Sequence, residues 1–274
     1  MARGAGSRAD RDDSNRPLDR KPLLQMPNDP GSAGPVAVDI WNWSLDQSLA
    51  DVVDAHTLLS GDEQGRAQRF LKDVDRRRYI VGRTGLRRIL ATYLGIEPRA
   101  VRFGYNNWGK PELDLADRSR LHFNLSHSAG EAMLAVSAHT EVGIDIEEIR
   151  PLEEDIASHF FSGSECAALA ALSGGERLVA FYRCWTRKEA FVKAHGAGLS
   201  VPLDSFDVSL EAVEGQHLLE RLDRDVGRLA DWALLNLDVV DGFCGALAVS
   251  AAGRDVKIHY RSRSAWSANM ASMM

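Results

Sequence analysis

Two stretches of the chain carry residue types whose spacing could do chemistry. The first is Gly143-Ile144-Asp145-Ile146-Glu147. On a β-strand successive side chains point to opposite faces, so Asp145 and Glu147 share one face while Ile144 and Ile146 turn toward a core. Two bare carboxylates side by side repel each other. They are tolerated when a cation sits between them, and hard oxygen ligands suit Mg²⁺. Taken alone, an acid-x-acid strand is more often an exposed edge with ordinary charges. The second stretch is WTRKEAFVKAHGAGL, Trp185 to Leu199. It reads as the last turns of a helix closed by glycines, and it sets Trp185, Glu189 and Lys193 at i, i+4 and i+8 on one face. The bland reading is a surface Glu–Lys pair, worth ~0.2–0.5 kcal/mol. The sharper one makes Glu189 the third carboxylate that the strand pair lacks. Lys193 then stands where a phosphate leaving group needs a positive charge or a proton.

Three upstream features suit a phosphate-bearing nucleotide. Trp108-Gly109-Lys110-Pro111 is a turn carrying one lysine. Phe123-Asn124-Leu125-Ser126-His127-Ser128 ends a strand in small hydrogen-bonding groups of the kind that bind oxyanions. RFLKDVDRRRYIVGRTGLRR, Arg69 to Arg88, is dense in cations; a solvated basic helix face accounts for part of it.

The elements that must position these residues are legible as a pattern. VAVDIW, Val36 to Trp41, reads as a β-branched strand. Helical patterns follow at Asp46–Leu59 and from Ser60, where Ser-Gly-Asp-Glu has the form of a capping box. A longer helix, about Val74 to Leu94, stops at Gly95. Strands are expected at Val101–Phe103, Leu121–Leu125 and Ala132–Val136. The pattern then recurs. VGIDI at 142–146 echoes VAVDI at 36–40, Ser162-Gly163-Ser164-Glu165 is a second S-x-x-E, and a helix from about Gly175 to His195 ends at Gly196. Asp231–Val240 and Phe243–Ser250 form a hairpin across Asp241-Gly242. The near-constant offset predicts an α+β fold built as a pseudo-dimer of two similar lobes, residues 36–140 and 141–255, with the active site in the cleft between them.

Composition bounds the rest. The chain has 274 residues, a formal net charge of −6 and a pI near 5.8, which argues against a general nucleic-acid binder. No apolar run approaches the ~18 residues of a membrane span. Cys166, Cys184 and Cys244 make no C-x-x-C pair, and so sparse a count points to a reducing compartment. Residues 1–35 hold five of the nine prolines with six Lys/Arg and five Asp, and read as a disordered extension without the apolar region of a secretory signal. Residues 256–274 read as a loose C-terminal tail.

With these motifs in view, the chain resembles the 4′-phosphopantetheinyl transferases, and among them the monomeric, two-lobed class typified by the surfactin-synthetase activator. The resemblance runs from about Ser44 to Leu210 and rests on G-I-D-I-E, W-x-x-K-E-x-x-x-K-x-x-G-x-G-L, W-G-K-P and F-N-L-S-H-S. The departures are Trp108, where the family usually has Tyr or Phe, and the two tails.

The resemblance implies an enzyme that moves the phosphopantetheine arm of coenzyme A to a serine hydroxyl of an apo acyl or peptidyl carrier protein and releases adenosine 3′,5′-bisphosphate. Asp145, Glu147 and Glu189 would hold Mg²⁺, or Mn²⁺ in its place, against the pyrophosphate. Lys193 would steady or protonate the leaving group, and Glu189, or a water it orients, would serve as base. Lys188 would help bind phosphate. Ser126 and His127 would bind phosphates of coenzyme A, His127 the 3′-phosphate, while Gly109 and Lys110 would lie along the adenosine. Lys72 and Arg78 are the further phosphate contacts expected from the basic helix. A cytoplasmic monomer acting without nucleic acid or membrane completes the expectation. Two other readings use the same residues: another Mg²⁺-dependent phosphotransfer enzyme acting on a nucleotide, and a non-catalytic coenzyme A-binding protein.

Overall fold

The computed structural model describes residues 34–114, 121–138, 140–152 and 155–261. Residues 1–33 of the expected N-terminal extension and the last thirteen residues, 262–274, lie outside them. The chain runs β1 (Val36–Ser44), α1 (Leu49–His56), α2 (Gly61–Ala67), α3 (Asp73–Leu94), β2 (Phe103–Tyr105), β3 (Pro111–Leu113), β4 (Leu121–Ser128), β5 (Glu131–Ala138) and β6 (Val142–Glu148). It continues through α4 (Ala157–Phe160), α5 (Gly163–Ala170), α6 (Gly174–His195), β7 (Phe206–Val208), β8 (Leu219–Leu222), β9 (Trp232–Asn236), β10 (Phe243–Ser250) and β11 (Val256–Arg261). Among the described residues no helix is long and apolar enough to cross a membrane.

Two sheets form the centre. One has the order β11-β1-β5-β4 and the other β6-β10-β9, with small hairpins β2-β3 and β7-β8 at the sides. Strand alternation sorts the apolar residues into layers. Trp41, Trp43, Leu134 and Val136 face α3 and its Leu86, Ile89 and Leu90. Val38, Ile40, Met133 and Ala135, on the opposite face, meet Ile144, Ile146, Leu247 and Val249 of the second sheet. The far face of that sheet packs Ala246 and Ala248 against Phe181, Cys184 and Phe191 of α6. The order is therefore helix, sheet, sheet, helix. This is an α+β fold.

The halves repeat one buried polar device. Ser60 N donates to Glu63 at 3.0 Å, closing the cap of α2, and Glu63 accepts from Arg87 of α3 at 2.7 Å. Arg87 also donates to the Val101 carbonyl beyond that helix, at 2.9 Å. In the second half Ser162 N donates to Glu165 at 2.8 Å, Glu165 pairs with Lys188 of α6 at 2.8 Å, and Lys188 donates to the Leu203 and Phe206 carbonyls at 2.6 and 2.7 Å. Each long helix ends on a left-handed glycine, Gly95 at φ 65° and Gly196 at φ 78°. Only glycine takes that conformation without steric cost.

Three expectations are adjusted. Val101 precedes its strand, which is Phe103–Tyr105. The hairpin of β9 and β10 pairs Asn236 with Ala246, so its connection is longer than the Asp241-Gly242 turn. Residues 256–261 are no loose tail: β11 adds in parallel to β1, Val256 opposite Val36 and Tyr260 opposite Ile40. The buried carboxylate of Asp39 accepts from Arg261 Nε at 3.0 Å and from the Tyr93 hydroxyl at 2.6 Å, which fastens this last strand to the first sheet. Asp39 holds the place in VAVDI that Asp145 holds in VGIDI, and in the first half it serves structure.

Candidate active site

The site is built where α6 lies across β6. Gly143 makes the crossing possible. A Cβ there would sit 2.9 Å from Ala194 Cα and nearer still to the Ala190 carbonyl and the Ala194 amide. With no side chain at Gly143, the helix rests directly on the strand. Side chains one and two turns apart on α6 then hang over the acidic face of β6.

Asp145 is 2% exposed. Its Oδ1 accepts from Lys193 Nζ at 2.5 Å and from Ser126 Oγ at 2.8 Å. Its Oδ2 is buried and has no hydrogen-bond partner among the described residues. Glu147 Oε2 accepts from Ser128 Oγ at 2.6 Å. Burial pushes Asp145 above the usual carboxylate range despite the opposing charge of Lys193. Burial also raises Glu147, with the charge of Asp145 adding to it. Glu189 is raised by burial first, and by the charges of Asp145 and Glu147, while Lys193 opposes. The three carboxylates thus feel one another, and Lys193 is the cation among them. An orphaned buried oxygen, three acids that resist ionising together and an all-oxygen donor set fit a hard divalent cation. Among the described residues no three such side chains are already drawn into ligating geometry.

Strand β4 completes the site from the other sheet. Its alternate side chains meet the backbone amides of β6: Ile144 N donates to Asn124 Oδ1 at 2.9 Å, Ile146 N to Ser126 Oγ at 3.4 Å and Glu148 N to Ser128 Oγ at 3.1 Å. This side-chain ladder joins the two sheets where main-chain pairing is missing.

Two cavities flank the carboxylates. One, of about 320 Å³, is lined by Glu189 and Lys193 on one side and by Trp108, Gly109 and Lys110 on the other. The glycine loop after α6 closes on it, Asn106 Nδ2 donating to the Gly196 carbonyl at 3.0 Å. Lys110 is anchored to Glu141 at 2.7 Å. Burial would raise Glu141, but hydrogen bonds from His122 and Lys110 outweigh it and hold the group down to about 2. The second cavity, of about 580 Å³, is lined by Glu147, Arg150, Leu152, Tyr182 and Trp185.

The residues singled out from sequence divide accordingly. Asp145, Glu147, Glu189, Lys193, Gly109 and Lys110 converge on the cleft, and Ser126 joins them through Asp145. His127 alternates to the other face of β4 and is exposed. Arg78 makes a two-pronged pair with Asp46, both bonds 2.8 Å. Lys72 is exposed at the N-cap of α3. Lys188 does not reach the cleft. It is 0% exposed and spent on Glu165, because one residue along a helix from Glu189 points it about 100° away. Sequence reasoning passed over the roles of Asn124 and Ser128. Their period of two within FNLSHS, facing the period of two in GIDIE, was the available signal.

Three carboxylates about a lysine, in a cleft of an α+β protein, make a class of site suited to a hard cation. Comparison with known proteins gives the class its family. Residues 42–139 match the model described as 4′-phosphopantetheinyl transferase, N-terminal, and residues 141–246 match that of the 4′-phosphopantetheinyl transferase superfamily. The 4′-phosphopantetheinyl transferase HetI of Nostoc sp. is 38% identical over 227 residues, covering 81% of this chain and 92% of that protein. The 4′-phosphopantetheinyl transferase Sfp of Bacillus subtilis is 35% identical over 168 residues, 61% of this chain and 73% of that protein. A putative 4′-phosphopantetheinyl transferase of Synechocystis sp. is 33% identical over 198 residues, 72% and 80% of the two chains. The chain belongs to the 4′-phosphopantetheinyl transferase superfamily.

Proposed function

We propose that this protein transfers the 4′-phosphopantetheine arm of coenzyme A to a serine hydroxyl of an apo carrier protein, releasing adenosine 3′,5′-bisphosphate. The observation that carries the reading is the cluster of Asp145, Glu147 and Glu189 about Lys193, with Asp145 Oδ2 buried and unpartnered. Asp145, Glu147 and Glu189 would hold Mg²⁺, whose chemistry is to neutralise charge on the pyrophosphate oxygens. Displacement at phosphorus asks for charge stabilisation and in-line positioning more than for covalent help. Lys193 supplies a positive charge to the departing phosphate. Glu189, a stronger base because burial raises it above the usual carboxylate range, accepts the proton of the incoming hydroxyl. Gly109 and Lys110 line the adenosine end, Lys110 fixed in place by Glu141. His127, Arg78 and Lys72 are assigned to phosphate groups, and Ser126 to the support of Asp145. The two lobes are residues 36–140 and 141–255, with β11 added to the first. The protein acts as a cytoplasmic monomer.

Intact-mass measurement tests this. Incubation with coenzyme A, Mg²⁺ and a panel of apo carrier proteins should add one phosphopantetheine per carrier serine, and excess chelator should abolish the addition. Consumption of coenzyme A without modification of any carrier would favour a nucleotide-directed phosphotransfer enzyme instead.

A further inference from the structure

The β4–β6 ladder does more than join sheets. The Ser128 hydroxyl has one proton and two acceptor sites. Glu148 N donates to Ser128 Oγ at 3.1 Å, so one acceptor site is taken by a backbone amide that cannot rotate. The proton is left to Glu147 Oε2, at 2.6 Å. Ser126 repeats the arrangement: it accepts from Ile146 N at 3.4 Å and donates to Asp145 Oδ1 at 2.8 Å. The third rung, Asn124 to Ile144 N at 2.9 Å, has Gly143 at the corresponding place on β6 and so no carboxylate to aim. Each rung that faces an acid is a serine, and the rung that faces none is an asparagine.

We propose that Ser128 is a positioning residue that fixes one oxygen of Glu147 so that the other faces the cleft as a cation ligand. The inference rests on the reading of Asp145, Glu147 and Glu189 as a cation site. Partners behind a metal ligand set its orientation, and their loss typically costs ~10–100-fold in metal affinity. A rung that merely tied the sheets together would cost stability and leave that affinity alone.

The test is a titration of the full-length protein with Mn²⁺ in the presence of adenosine 3′,5′-bisphosphate, with free Mn²⁺ read by electron paramagnetic resonance and fold checked by circular dichroism. Ser128→Ala should raise the Mn²⁺ dissociation constant about tenfold or more. Ser128→Thr, which keeps the hydroxyl and suits a strand, should restore it to near the wild-type value. Ser128→Cys, a weak donor of nearly the same size, gives the same readout should the alanine variant not fold. A folded Ser128→Ala protein with a lowered thermal midpoint and unchanged Mn²⁺ affinity would overturn the proposal, as would a threonine variant no better than alanine. Absence of Mn²⁺ binding by the wild type would overturn the cation-site reading itself and this inference with it.

Discussion

Gly143→Ala is the substitution by which the architecture of the site can be judged. The added methyl carbon would fall 2.9 Å from Ala194 Cα, with the Ala190 carbonyl and Ala194 amide closer still. Ordinary carbon contacts lie at about 3.5–4.0 Å, so α6 must lift from β6 by roughly 1 Å. The obstacles are backbone atoms of a long helix, which cannot step aside as a side-chain tip would. Overpacking of this kind costs ~1–3 kcal/mol, and more where backbone must move. The functional cost follows from the same shift. Glu189 and Lys193 ride on α6, Asp145 and Glu147 on β6, and a misplacement of about 1 Å can cost ~10²-fold in rate. The assay pairs a urea unfolding midpoint with kcat for carrier modification. The comparator is Gly85→Ala, whose methyl would meet the Trp43 ring at 2.7 Å in the first half of the molecule, away from the carboxylates. Both variants should lose stability, and Gly143→Ala should lose far more kcat. Wild-type kcat and midpoint for Gly143→Ala would refute the direct seating of α6 on β6.

Other outcomes follow from named contacts. Lys188→Met should leave Glu165 buried without its ion partner and lower stability by about 3–5 kcal/mol, read by urea unfolding, with coenzyme A affinity of the folded fraction unchanged; a phosphate-binding lysine would give the reverse. Lys193→Met should lower kcat in a way that saturating Mg²⁺ does not restore, because the charge removed is not a cation ligand; recovery at high Mg²⁺ would contradict its role at the leaving group. Burial raises Asp145, Glu147 and Glu189, so the folded state keeps protons that the unfolded chain has released. Their contribution to stability is therefore present below the unfolded carboxylate values and lost as pH rises through the raised folded ones. In chelator, the thermal midpoint of wild type should fall more steeply with pH over that window than that of Glu189→Gln; equal slopes would show that Glu189 stands apart from the cluster.

Local chemistry made much of this molecule legible. Ser60 and Ser162 announce their helices through Glu63 and Glu165, Gly95 and Gly196 announce their ends, and strand alternation alone separates Asp145 and Glu147 from Ile144 and Ile146. The converging carboxylates were visible because a period of two on a strand and a period near four on a helix both leave a trace in spacing. What escaped depends on partners far away in sequence. Strand β11, VKIHYR, alternates apolar and polar residues as a strand does, but its pairing with β1, at the other end of the chain, is marked by no local pattern. Lys188 has the residue type of a phosphate ligand, and only the position of Glu165 shows it to be spent. Ser128 reads as a loop-like hydroxyl until β6 lies beside it.

Glu189→Gln tests the central claim most directly. The variant keeps size and helix propensity, so it should fold and still bind adenosine 3′,5′-bisphosphate. Its rate of phosphopantetheine addition to an apo carrier, followed by intact mass at saturating coenzyme A and Mg²⁺, should drop by ~10²–10⁴, the range for loss of a general base. A folded variant that keeps more than about a tenth of the wild-type rate, well short of that range, would make Glu189 a bystander to Lys193 and contradict the three-carboxylate site.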